Sequence, residues 1–101
     1  MLYMAVGKAK NVEAYIADIV ASQQLEDPVY FVDLGTVTRL YRKWQAALPR
    51  VTPFYAVKSL TDRAVISTLA VLGAGFDCAS QSEVSSLCLQ LQACRKHQTF
   101  C

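Results

Sequence analysis

From Val51 onward, short apolar runs of strand character alternate with longer runs of helical period, and this alternation narrows the possible folds more than any other feature of the chain. "VTPFYAVK" (Val51 to Lys58) reads as a strand, with Pro53 near its start, where a missing N–H is best tolerated. Asp62 is placed to cap a helix whose Val65, Ile66, Leu69 and Leu72 form one stripe, and Gly73 suits a left-handed C-terminal cap. "GFDCA" (Gly75 to Ala79) is a second short strand. Ser80 and Glu83 then have the spacing of a capping box, opening a helix through Val84, Leu87, Cys88 and Leu91. Strand–helix–strand–helix with short links predicts an α/β fold with a parallel sheet and crossover helices. Both strands are apolar at successive positions, as a sheet covered on both faces requires. Two strands leave edges unpaired, so the expected architecture is the opening of a larger sheet or barrel.

Upstream, Val12, Tyr15, Ile16, Ile19 and Val20 recur at helical spacing from Asn11, a capping residue, to about Gln24. "PVYFVDL" (Pro28 to Leu34) reads as a strand ended by Gly35. Thr36 to Leu48 returns to helical period through Val37, Leu40, Tyr41, Trp44 and Leu48, and Pro49 stops it. Tyr41 and Trp44 are expected in the core, and Arg39, Arg42 and Lys43 on a solvated face. The expected organisation is an N-terminal helical segment over 1–27, an incomplete α/β part over 28–93 and a divergent tail over 94–101.

Composition excludes several classes of function. Hydrophobic residues make up 53% and charged residues 18% of the 101, too apolar a balance for a disordered chain. Ten basic and eight acidic residues are scattered singly for a net charge of +2, which leaves no basic stripe for nucleic acid. The apolar start "MLYMAV" is too short for a signal-peptide core, and no run approaches the ~20 residues that span a bilayer. A soluble, cytosolic protein is expected, with its four cysteines as free thiols. Cys88, Cys94, His97 and Cys101 are potential zinc ligands, but they lack the short Cys-x-x-Cys type of knuckle, and no metal is expected.

Lys58 closes the apolar run "PFYAVK", and a buried ammonium must be neutralised, paired or put to chemical use. Strand alternation places Phe54, Ala56 and Lys58 on one face, with small Ala56 leaving space near the amine. Lys58 falls at the carboxyl end of its strand, where parallel α/β folds build their sites, and Asp77 falls at the end of the next. The residues leave three readings open: a structural Lys58–Asp77 ion pair, a lysine that snorkels to solvent, and a catalytic amine.

The stretch "LPRVTPFYAVKSLTDRAVISTLAVLGAGFDCASQSEV", with "VYFVDLGTV" before it, resembles the N-terminal part of eukaryotic ornithine decarboxylases, from about Pro28 to Val84. These are pyridoxal-phosphate enzymes built on an alanine-racemase-like (β/α)8 barrel of the TIM type. The resemblance implies that Lys58 forms the Schiff base with pyridoxal 5'-phosphate, and that Asp77 and Glu83 lie near the cofactor. It implies decarboxylation of L-ornithine to putrescine for polyamine synthesis, in a cytoplasmic homodimer, with antizyme as a further partner. Ser59 and Leu60 stand where these decarboxylases usually have Cys-Asn. The likeness fades past Val84, and the family's glycine-rich phosphate loop, its acid for the ring nitrogen and its second-domain cysteine and aspartate have no counterpart here. A truncated, inactive piece of such an enzyme is therefore expected. The alternatives are a non-catalytic protein resembling the antizyme inhibitors, and an arginine, lysine or diaminopimelate decarboxylase.

Overall fold

The computed structural model describes residues 11–23 and 27–92. The apolar start of the chain and three of the candidate zinc ligands, Cys94, His97 and Cys101, lie outside the described residues. Two compact units divide the chain, Met1–Val32 and Asp33–Cys101.

In the first unit, α1 (Val12–Gln23) begins where Asn11 can cap it. The Asn11 Oδ1 accepts from the N–H groups of Glu13 (3.0 Å) and Ala14 (3.2 Å), two of the donors that a helix start leaves without partners. The run from Pro28 is not a strand. Residues 28–33 are irregular, Tyr30 is 77% exposed, and Leu34 already belongs to a helix. Extended backbone needs a neighbouring ladder for its N–H and C=O groups, and the sheet among the described residues consists of two strands further along the chain.

The second unit starts with α2 (Leu34–Ala47), two residues ahead of the expected Thr36. Asp33 explains the early start. Its Oδ1 accepts from the Thr36 N–H at 3.1 Å and its Oδ2 from the Thr36 hydroxyl at 2.6 Å. There follow β1 (Phe54–Ala56), a 3-10 turn (Val57–Ser59), α3 (Arg63–Leu72), β2 (Gly75–Asp77) and α4 (Gln81–Gln92). The strands pair in parallel, with Phe54 opposite Gly75, Tyr55 opposite Phe76 and Ala56 opposite Asp77. Helix α3 is the crossover, bounded as its sequence predicts. Asp62 Oδ1 accepts from the N–H groups of Ala64 (2.9 Å) and Val65 (3.0 Å). At the other end Gly73 takes φ +95°, a conformation that disfavours any Cβ, and the Ala74 N–H donates back to the Leu69 carbonyl at 3.0 Å.

One side of the sheet carries the core. Tyr41 from α2, Val65, Ile66 and Leu69 from α3, Phe76 from β2 and Leu87 from α4 form a single buried cluster with Val57. The Tyr55 and Phe76 rings meet edge to face at 6.4 Å and 83°. Trp44 does not join them. It is exposed, and its Nε1–H donates to the Val51 carbonyl at 3.0 Å, tying the end of α2 to the approach of β1. The opposite side differs from the expected two-faced burial. Phe54 is 61% exposed, because the helices that follow each strand pack on the same side and leave the other uncovered among the described residues. The Phe54 ring lies across Gly75, where an added Cβ would sit 2.6 Å from it.

Candidate active site at the carboxyl ends of the strands

Strand β1 is shorter than its apolar run. Pairing stops at Ala56, and the chain turns through one 3-10 turn before the cap of α3. Val57 dips into the core at 3% exposure, while Lys58, the next residue, is exposed. Thus the lysine is not buried by the apolar run that precedes it; Val57 takes up the buried position and the turn delivers the amine to solvent. Two hydroxyls close that turn. The Ser59 O–H donates to the Ala56 carbonyl at 2.7 Å, and the Tyr55 O–H donates to the Leu60 carbonyl at 2.9 Å.

Asp77 occupies the corresponding end of β2, opposite Ala56 and exposed. No ion pair joins it to Lys58 among the described residues. Beyond it, Glu83 sits in the first turn of α4, and the capping box forms with a shift. The Glu83 N–H donates to Ser80 Oγ at 3.2 Å, as the spacing predicts. The Glu83 carboxylate reaches back one residue further than the usual box, accepting from the Ala79 N–H at 2.7 Å. It therefore fastens the segment between Asp77 and α4. The three residues singled out from sequence come to the same end of the sheet, Lys58 after β1, Asp77 on β2 and Glu83 after β2.

Sequence reasoning overlooked Asp33 as a cap and the two hydroxyls around Lys58. Asp33 was legible, since Asp followed three residues later by Thr is a capping spacing. The Tyr55 and Ser59 bonds were not, because they depend on where the strand gives way to the turn.

This end of the sheet fits the aldehyde end of pyridoxal phosphate: an exposed primary amine in the turn after β1, and an exposed carboxylate at the end of the adjacent strand. Among the described residues, no group of three or more His, Cys, Asp or Glu side chains could hold a metal ion.

A parallel strand pair joined by a crossover helix, with Lys58 and Asp77 at the strand ends, places the chain in the α/β class. The family described as pyridoxal-dependent decarboxylase, pyridoxal binding domain, matches residues 34–94, more than half of the chain and beyond Val84. The chain belongs to that family. It is 49% identical over 76 residues to ornithine decarboxylase of Rattus norvegicus, a match covering 75% of this chain and 16% of the relative. Ornithine decarboxylase of Leishmania donovani is 51% identical over 59 residues, covering 58% of this chain and 8% of the relative. Antizyme inhibitor 2 of Xenopus laevis is 43% identical over 76 residues, covering 75% and 17%. The chain thus spans about a sixth of the length of the first of these relatives.

Proposed function

We propose that this chain contributes the cofactor lysine and the first strand–helix units of a pyridoxal-phosphate-dependent decarboxylase that converts L-ornithine to putrescine, feeding polyamine synthesis. The observation that carries the reading is Lys58, presented to solvent at the carboxyl end of β1 within the matched segment. Lys58 would hold the cofactor through its amine, and Asp77 would set the charge beside it. Glu83 would keep Asp77 and its loop in place through the Ala79 N–H. When bound, pyridoxal phosphate supplies the electron sink for the bond that releases carbon dioxide. The reading places the protein in the cytoplasm as part of a homodimer, and neither Cys78 nor Cys88 is in a disulfide. No helix among the described residues is long and apolar enough to cross a membrane.

A second reading, an antizyme-binding protein without catalysis, is favoured by one feature. Leu60 stands exposed beside the lysine turn, at a position where the decarboxylases usually carry a polar amide. A chimera separates the two. Residues 33–92 of this chain replace the matching segment of the Rattus norvegicus ornithine decarboxylase, and the chimera is loaded with pyridoxal phosphate, reduced with borohydride and mapped. The pyridoxyl mass is expected on Lys58, with carbon dioxide released from ornithine. Lys58→Arg should lose at least a hundredfold in that release with the fold intact, since arginine cannot become a neutral nucleophile. A folded chimera labelled at another lysine ends the cofactor assignment; a label on Lys58 without turnover favours the binding protein.

A further inference from the structure

The cofactor reading names Lys58, but the structure contains a device around it that the reading does not use. Val57 is fixed in the core and Asp62, only 5% exposed, is fixed as the cap of α3. Between these anchors the chain must leave the sheet, display Lys58 and re-enter the fold within four residues. Two side-chain hydroxyls bridge the span from opposite ends. Tyr55, two residues before the first anchor, reaches forward to the carbonyl of Leu60, and Ser59 reaches back to the carbonyl of Ala56. The Tyr55 ring is itself held edge-on by buried Phe76, so its hydroxyl projects from a fixed platform. The two bonds embrace Lys58 in sequence, one spanning 55–60 and the other 56–59.

We propose that Tyr55 and Ser59 are positioning residues for Lys58. They pin the backbone on both sides of the lysine, so that the exposed side chain starts from one fixed origin and only its own rotamers remain free. A flexible four-carbon stem on a loose loop would sweep a wide volume; on a pinned turn it sweeps a narrow one. The proposal rests on the cofactor reading for its purpose, but not for its geometry. Ser59 makes its bond with a strong O–H donor, whereas a cysteine at this position would offer only a weak S–H donor.

The test uses the 101-residue chain and its Ser59→Ala, Tyr55→Phe, Ser59→Thr and Ser59→Cys variants. Limited trypsin digestion reads the turn directly, because cleavage after Lys58 requires the backbone to open into an extended form. Cleavage there is measured against cleavage after Lys43 in α2. Losing one hydrogen bond should raise the Lys58-to-Lys43 ratio about two- to tenfold in Ser59→Ala and in Tyr55→Phe. Ser59→Thr keeps the hydroxyl and should restore the original ratio, and Ser59→Cys should fall between. In parallel, borohydride trapping after brief exposure to pyridoxal phosphate measures how the label divides between the two lysines. The Lys58 share should drop in the variants that open the turn and return in Ser59→Thr. Far-UV circular dichroism checks that each variant keeps its helices; Ser59 is exposed, so its series stands even if Tyr55→Phe unfolds. An unchanged cleavage ratio in folded Ser59→Ala, or a ratio in Ser59→Thr as high as in Ser59→Ala, overturns the proposal. A Lys58 label share that stays constant while the cleavage ratio shifts also overturns the positioning role, whereas failure of the cofactor reading is seen in the chimera, where the label would fall on another lysine.

Discussion

Asp33 shows how much one carboxylate decides. Two oxygens of the same side chain serve the N–H and the hydroxyl of Thr36, and the helix begins there rather than at the first periodic apolar residue. The Thr36 hydroxyl, then its amide, hold the Asp33 carboxyl below the ordinary carboxylate value, with small help from Arg39. A folded value below the unfolded one means that the cap contributes its stability above the unfolded value and loses it as pH falls through the folded value. The Thr36 amide resonance should therefore titrate below the ordinary range for aspartate, with the first turn of α2 fraying as it does. Asp33→Asn should flatten that titration. A midpoint at or above the ordinary value would show that the cap does not favour the charged form. Asp62 plays the same part at α3 while buried, with one oxygen satisfied by two N–H groups and Oδ2 buried without a partner among the described residues. Such a carboxylate combines a stabilising cap with an oxygen that no donor rewards.

Helix α3 is the element on which the unit depends. Its stripe of Val65, Ile66 and Leu69 is buried in one cluster with residues of α2, α4 and β2, and Ile66 is 1% exposed. Truncating a fully buried isoleucine removes its transfer free energy and leaves a cavity. Ile66→Ala should lower stability by about 2–5 kcal/mol, read as a shift in the urea midpoint. Val71, on the opposite side of the same helix and 74% exposed, serves as the control, and Val71→Ala should change the midpoint little. Comparable losses at both positions would mean that the packing of α3 is not the one described. The contrast between α2 and α3 is instructive here. Both have a helical apolar pattern, yet Leu40, Trp44 and Leu48 of the expected α2 stripe are exposed while Tyr41 is buried.

At the scale of the molecule, two paired strands present one covered face and one open face. Phe54 stands on the open face, and each strand keeps an unpaired edge among the described residues. A cofactor site in a barrel of this class is assembled from the ends of several strands, and two strand ends supply an amine and a carboxylate. The 101-residue chain on its own is therefore expected to react weakly with pyridoxal phosphate, without saturation, and to release no carbon dioxide from ornithine. Titration of the soluble chain beside Lys58→Ala, followed at the absorbance of the cofactor–lysine adduct, checks this. A saturable signal confined to the unaltered chain, together with putrescine, would mean that two units suffice.

Much of this protein is local and was legible from residues alone. Asn11, Asp62 and Gly73 set helix ends because capping is a matter of neighbouring atoms, and the stripe of α3 follows from helical period. The order of strand and helix predicted a parallel pair with Lys58 and Asp77 at its carboxyl ends, and the resemblance added Glu83. What the sequence could not decide was whatever depends on a partner across space. "PVYFVDL" has strand composition but no ladder among the described residues, so it stays irregular. The apolar run through Val57 stops being a strand at Ala56, because β2 pairs no further. Trp44 looks like core and lies outside it, because helix period gives a stripe without saying which part of the stripe meets a neighbour. Lys58 emerges into solvent for the same reason: its neighbour Val57 finds a buried place, and the turn that results points the amine the other way.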